Sequence, residues 1–81
     1  MRDVFTLIDT LRTYERAPDT ECLHTILKLA DSVLITPNGG CDWANIQMLE
    51  VAGFNVRAGE QDSFGWLTGV IRTKAGEIVY G

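Results

Sequence analysis

Cysteine is scarce in this 81-residue chain, which contains only Cys22 and Cys41. Two cysteines are too few for the disulfide framework of a small secreted domain, and these two lack the spacing and companion ligands of a zinc site. We therefore interpret both as reduced thiols. No cofactor or metal is predicted.

Long apolar runs are also missing. No run approaches the roughly 20 residues that a transmembrane helix requires. Asp3, Asp9 and Arg12 lie where the apolar core of a signal peptide would have to be. These absences predict a soluble, cytoplasmic protein that does not bind membranes.

Charge of one sign is not concentrated in any segment. The 11 acidic residues outnumber the 7 Lys and Arg, for a net charge of −4, and neither set forms a run. A nucleic-acid-binding domain needs a positive surface to neutralise phosphates, so no nucleic-acid partner is expected.

The length of the chain fits a single domain. A domain of this size buries only about 60 to 65% of the surface that the unfolded chain exposes, and so thin a core favours stabilisation by a partner.

Apolar residues recur at helical spacing in two N-terminal segments. This spacing predicts helices over about residues 3–15 and 20–34. Pro18 separates them because it disfavours helical geometry at the residue before it. Asp19 or Thr20 can then cap the second helix through a side-chain oxygen.

The end of the second helix can be interpreted in two ways. Residues 32–36 are rich enough in β-branched side chains to form a short strand instead of the end of the second helix, and we prefer the helix.

A third helix is predicted over about residues 43–52, with Asp42 as its N-cap and Gly53 as the left-handed residue after it. Its apolar residues surround much of its circumference, which predicts contact with the sheet on one side and with another helix on the other.

The remaining residues predict a three-stranded antiparallel meander, with strands at about 54–58, 64–73 and 77–80. Gly76 fits the left-handed position of a hairpin loop between the last two strands. The predicted fold class is therefore α+β: two or three N-terminal helices followed by a three-stranded antiparallel β-meander.

The hairpin register decides which side chains share a face of the sheet. Pairing Thr73 with Glu77 would place Val70 opposite Tyr80 and Ile71 opposite Val79. One predicted face then carries Phe64, Trp66, Val70, Ile78 and Tyr80. The opposite face carries Gly65, Leu67, Gly69, Ile71 and Val79. Both predicted faces are apolar enough to require cover.

Two polar loops, at 36–42 and 59–63, are the candidates for small-molecule chemistry. The carboxylates of Asp42, Glu60 and Asp62 could together hold a hard cation, but their spacing matches no calcium or magnesium loop. A cap at Asp42 and a solvated turn at 59–63 are the simpler interpretations.

The remaining candidates for a functional role are a cysteine, the histidine and two tryptophans, and each also fits a structural role. Cys41 precedes a helix and His24 is the only histidine, yet nothing in the sequence brings this possible nucleophile and base together. Trp43 and Trp66 are by default core residues of a thin domain, whereas an exposed tryptophan would mark a binding site.

No motif for an enzyme is present, and surplus apolar surface favours an interaction role. The predicted function is a small non-enzymatic protein-interaction module that forms a homodimer and binds another protein. The predicted partner-binding residues are Trp66, Val70, Ile78 and Tyr80. The alternative is a small-ligand-binding protein or minor enzyme that uses the 36–42 and 59–63 loops. The short α-then-β plan resembles small proteins encoded on bacterial phages, plasmids or other mobile elements.

Overall fold

The computed structural model describes residues 2–61, 63–65 and 67–81, with the side chains of Arg2 and Glu60 excepted. It confirms the predicted α+β class, because three helices precede a three-stranded antiparallel sheet. The helices are α1 (Arg2–Arg16), α2 (Thr20–Leu34) and α3 (Trp43–Val51), and the strands are β1 (Asn55–Gln61), β2 (Leu67–Thr73) and β3 (Gly76–Tyr80).

Helices α1 and α2 pack against each other as a pair. Asp19 caps α2, and its Oδ1 accepts the backbone N–H of Cys22 at 2.7 Å. Helix α2 continues to Leu34, after which Ile35 is extended and forms an isolated β-bridge with Cys41. Residues 32–34 are therefore helical, as preferred from the sequence, and Ile35 is extended.

Helix α3 is fixed at its start by two side chains. Asp42 is the N-cap, and its Oδ1 accepts the N–H of Asn45 at 3.2 Å. The amide Nδ2 of Asn45 donates to the carbonyl of Val33 at 2.9 Å. Because Val33 lies in the last turn of α2, this hydrogen bond joins the start of α3 to the end of α2. Gly53 follows α3 with φ 102°, as its predicted left-handed role requires.

Strand β1 is longer than predicted and reaches Gln61, so residues 59–61 belong to the sheet instead of to a loop. The β1–β2 register shifts between Arg57 and Glu60, which marks an irregularity in the pairing. The strand order is β1-β2-β3, so the meander has β2 at its centre.

The predicted β2–β3 register is wrong by one residue. Thr73 pairs with Gly76 instead of Glu77, and Ile71 consequently lies opposite Ile78. Because side chains alternate between the faces of a strand, this shift moves every β3 side chain to the other face relative to β2. Gly76 nevertheless has the expected positive φ, at 118°.

The core lies between the helices and the inner face of the sheet. Side chains without solvent exposure come from every layer: Leu7, Leu11, Ile26, Ala30, Leu34, Leu49 and Ile71. None of the helices in the described part of the chain combines the length and apolarity needed to cross a bilayer.

Candidate functional site

The residues predicted to bind a partner are not gathered on one surface. Ile78 and Tyr80 are inward-facing core residues with 3% and 2% exposure, and they lie beside Gly69 and Ile71 on β2. Val70 is half-buried on the outer face. Trp66 lies outside the described residues. The prediction that Val70 shares a face with Ile78 and Tyr80 is wrong, because it depended on the incorrect register.

The outer face of the sheet is largely polar. Val79 is 63% exposed there and pairs with Val70. Both valines lie next to the paired residues Arg72 and Glu77, whose side chains form an ion pair with Nε and Oε2 2.8 Å apart. The expectation that both sheet faces are apolar is therefore wrong, because the outward positions of this register are mainly charged or polar.

The 36–42 loop approaches Gly59, which belongs to β1, at one end of the molecule. A Cβ added to Gly59 would lie 3.7 Å from Cys41 Sγ. A cavity of about 230 Å³ is present near this end, lined by Ile35, Thr36, Pro37, Gly39, Gly65 and Leu67. Asp42 serves as a cap, whereas Asp62 and the side chain of Glu60 lie outside the described residues. Among the described residues, no group of three or more His, Cys, Asp or Glu is placed to hold a metal ion.

The cysteines and the histidine show no catalytic geometry in the described part of the chain. His24 lies on the exposed side of α2, and no hydrogen bond links it to the half-buried Cys41. Cys22 donates a long Sγ contact of 3.6 Å to the carbonyl of Thr10. Desolvation, with a further contribution from Asp19, raises the pKa of the Cys22 thiol. A raised pKa lowers the thiolate fraction and with it the reactivity of this cysteine.

Tyr80 places a polar atom in the core. Its hydroxyl is buried and has no hydrogen-bond partner among the described residues. Burial, followed by interactions with Cys41 and Asp31, raises the pKa of Tyr80 to about 12. Because this hydroxyl is buried inside the fold, we expect it to affect the stability of the protein and not the binding of a ligand.

An apolar surface lies between two helices. A groove of about 530 Å³ runs between α1 and α3 and is open to solvent. We define this α1–α3 groove by its lining residues, which are Phe5, Ile8, Arg12, Ala44, Gln47, Met48, Val51 and Ala52. Phe5 is 54% exposed and Val51 is 83% exposed. Large apolar side chains so exposed on facing helices are typical of a binding surface.

Helix α3 contributes four of the eight lining residues of this groove. Only Ile46 and Leu49 of α3 are fully buried, and Trp43 at its start is 64% exposed. The prediction that α3 contacts the sheet on one side and another helix on the other is confirmed, because α3 packs against β1 and against both other helices. The core position predicted for Trp43 is wrong. Trp43 and Val51 lie about 80° apart around the helix axis, and Trp43 is not among the lining residues of the groove.

A second cavity, also open to solvent, adjoins the groove. This basic cavity has a volume of about 630 Å³ and is lined by Arg12, Glu15, Arg16, Ala52, Gly53, Phe54, Asn55, Arg72, Thr73 and Lys74. Arg12 and Ala52 line both the cavity and the groove. Four of the seven Lys and Arg residues of the chain thus meet at one place. The sequence could not show this cluster, because its members come from α1, β2 and the hairpin.

Sequence reasoning missed the groove, although one signal was present. The buried stripe of α1 consists of Val4, Leu7, Ile8 and Leu11, and Phe5 lies outside it. An aromatic residue beside an otherwise regular apolar stripe widens the apolar face beyond what one neighbouring helix covers.

Comparison with protein-family models, curated proteins and solved structures finds no match for this chain. Its own surfaces are therefore the basis for a functional assignment, and the α1–α3 groove with the adjoining basic cavity is the strongest candidate site.

Proposed function

We propose that this protein is a non-enzymatic interaction module that binds a segment of another protein in the α1–α3 groove. The observation that carries the proposal is the exposure of Phe5 and Val51 on the two helices that form one apolar groove. Burying such side chains against a partner removes apolar surface from water, at about 25 cal/mol per Å².

The dimensions of the groove suit a helical segment. Phe5, Ile8 and Arg12 lie within eight residues of α1, or about 10 Å at a rise of about 1.5 Å per residue. Ala44 to Val51 span a similar length on α3. About two turns of a partner helix fit along this length, and anchors at spacings of three, four and seven residues are the usual way to fill such a groove.

The homodimer expected from the sequence depended on an uncovered apolar face of the sheet. The outer face carries charged pairs such as Arg72 and Glu77, so it gives that expectation little support. We therefore assign the groove to a different protein and treat a second copy of this chain as an outcome of the test.

Site-specific photocrosslinking tests the proposal for a partner of any sequence. A benzophenone amino acid replaces Val51 in the groove or, as a control, the exposed Lys28 of α2. The protein is irradiated in the cells that produce it, and adducts are identified by mass spectrometry. We expect a discrete adduct with another protein at position 51 that is absent at position 28.

A second substitution ties the adduct to the groove. Phe5→Glu places a charge in the groove at a half-exposed position, so the fold should persist, which circular dichroism checks. We expect this variant to lose the adduct at position 51. An adduct made of two copies of this chain would identify a homodimer instead of the proposed partner. Equal labelling at positions 51 and 28 would contradict any role of the groove.

A further inference from the structure

The basic cavity lies at the end of the α1–α3 groove, and the two are continuous through shared lining residues. Arg12 and Ala52 line both, whereas Arg16 and Lys74 line the cavity alone. A segment that lies in the groove and continues past Arg12 therefore enters the cavity.

The charge of the cavity is opposite to that of the chain. Its lining contains four cations and a single carboxylate, that of Glu15, for a net charge of +3. The whole chain carries −4. Of the carboxylates on α1 and α3, only that of Glu15 is among the lining residues of either opening, whereas Asp3, Asp9 and Glu50 are not.

Contacts within the chain leave most of this positive charge uncompensated. Arg72 pairs with Glu77, and Glu15 Oε2 accepts the backbone N–H of Lys74 at 2.7 Å. Among the side chains that the structure describes, no carboxylate forms an ion pair with Arg12, Arg16 or the ammonium of Lys74.

Helix polarity provides an ordinary explanation for part of the cluster. Helices α1 and α3 both direct their C-terminal ends toward the cavity, and each C-terminus carries about half a negative charge that favours nearby cations. Two helix ends therefore offset about one positive charge, which is less than the surplus in the lining. The hairpin contributes Lys74 and β2 contributes Arg72, and neither belongs to a helix end.

We propose that the partner segment is an acidic amphipathic helix, whose apolar side chains fill the α1–α3 groove and whose carboxylates enter the basic cavity beside Arg12, Arg16 and Lys74. This inference rests on the proposed function and specifies the chemistry of the partner. Charge-assisted hydrogen bonds from guanidinium groups to carboxylates would then fix the direction of the bound segment.

Synthetic peptides of defined composition test the inference. Each has about 14 residues with the same leucine stripe at helical spacing, and carries a short run of either glutamates or lysines. The charged run is placed at the N-terminus in one set and at the C-terminus in another. Affinities for the full chain are measured by fluorescence anisotropy. We expect one glutamate peptide to bind about tenfold or more tightly than its lysine counterpart, despite the net negative charge of the protein.

Substitutions inside and outside the basic cavity test whether the cavity causes the preference for glutamate peptides. Lys74→Gln and Lys28→Gln change the net charge equally, but only Lys74 lines the cavity, and Lys28 is an exposed residue of α2. We expect Lys74→Gln and Arg12→Gln each to weaken binding of the glutamate peptide about threefold or more, and Lys28→Gln to change it by less than about twofold. Raising the salt from about 50 to about 500 mM should reduce the glutamate preference, because screening is stronger.

The outcomes separate this inference from the function on which it rests. Glutamate and lysine peptides that bind equally well, with both lost in Phe5→Glu, would retain the groove and overturn the acidic partner. Tighter binding of the lysine peptides would also overturn it. If no peptide binds with a dissociation constant below about 1 mM, the groove does not accept an amphipathic helix and this inference fails, whereas the proposed function is decided separately by the adduct at position 51.

Discussion

Gly69 and Tyr80 lie directly opposite each other in the β2–β3 ladder, and the Tyr80 ring occupies the space that a side chain on residue 69 would need. A Cβ built at position 69 would overlap the ring carbons and hydroxyl of Tyr80. The absence of a side chain at Gly69 is thus what allows an aromatic ring to lie over this part of the inner face. This pair explains how a thin core accommodates a tyrosine at its edge strand.

Gly69→Ala should destabilise the fold by about 1–3 kcal/mol, because the new methyl group forces the Tyr80 ring out of its position. Urea unfolding measures the change. Gly40→Ala is a suitable control, since its Cβ would lie 3.4 Å from Thr36 Oγ1 and its backbone φ is not positive. In a Tyr80→Leu background, which lacks the ring, Gly69→Ala should cost less. An equal cost in both backgrounds would show that the ring is not the cause.

Stability should fall between about pH 10 and pH 12 because of Tyr80. The folded state raises the pKa of this group to about 12, whereas an unfolded tyrosine titrates near 10. Below pH 10 Tyr80 is protonated in both the folded and the unfolded chain, so its ionisation does not lower the free energy of unfolding. As the pH rises above 10, the unfolded chain loses its proton first. This ionisation stabilises the unfolded state and lowers the free energy of unfolding. The expected loss is about 2 kcal/mol, seen as a lower urea midpoint at pH 12 than at pH 9.5.

Tyr80→Phe provides the control for this titration. Other groups also ionise above pH 10, so the measured quantity is the difference between the wild-type and variant profiles. Removing a buried hydroxyl that lacks a described partner should leave stability at pH 7 unchanged or raise it by up to about 1 kcal/mol. Parallel profiles for the two proteins would contradict the burial of the Tyr80 hydroxyl.

Gly76→Val should destabilise by about 1–2 kcal/mol through backbone conformation alone. Gly76 has φ 118°, and a Cβ there would meet nothing within 4 Å. A chemically synthesised chain with D-alanine at position 76 tests the cause, because a D-residue adopts positive φ without penalty. We expect the D-alanine protein to unfold at the wild-type temperature or above, and an equally destabilised protein would disprove the conformational explanation.

Asp42→Ala should cost about 1–2 kcal/mol. The substitution removes the acceptor for the N–H of Asn45 and also the Oδ2 that accepts from Asn45 Nδ2 at 3.3 Å. Asp42→Asn retains a capping oxygen and should lose less than half as much. Thermal unfolding of the three proteins gives the comparison, and equal melting temperatures for wild type and Asp42→Ala would rule out the cap as a source of stability.

Local signals explain why the helices were predictable. Pro18 and Asp19 separate α1 from α2, and Asp42 and Gly53 bracket α3. Each of these effects acts within a few residues along the chain, so it does not depend on the tertiary structure. The glycine of the last hairpin was predictable for the same reason, since positive φ is a property of Gly76 itself.

The candidate site was not predictable, because it depends on which elements meet. The predicted partner-binding residues Ile78 and Tyr80 became core residues once the hairpin paired Thr73 with Gly76. Two possible registers differ by a single residue at the turn, and the sequence near the turn allows both. In the actual register, Ile78 and Tyr80 are buried against the helices. This burial stabilises the register through contacts between residues that are far apart in the chain.

The sequence by itself therefore determined the order of the elements, their caps and their turns, because those features depend on neighbouring residues. Only the tertiary structure determined which face of the sheet is buried. It also left Phe5 and Val51 exposed across one groove. The same packing brought four cations together in one cavity: Arg12, Arg16, Arg72 and Lys74. Burial and charge clustering arise from contacts between residues far apart in the chain, and only the packing of α1, α3 and the sheet brings those residues together.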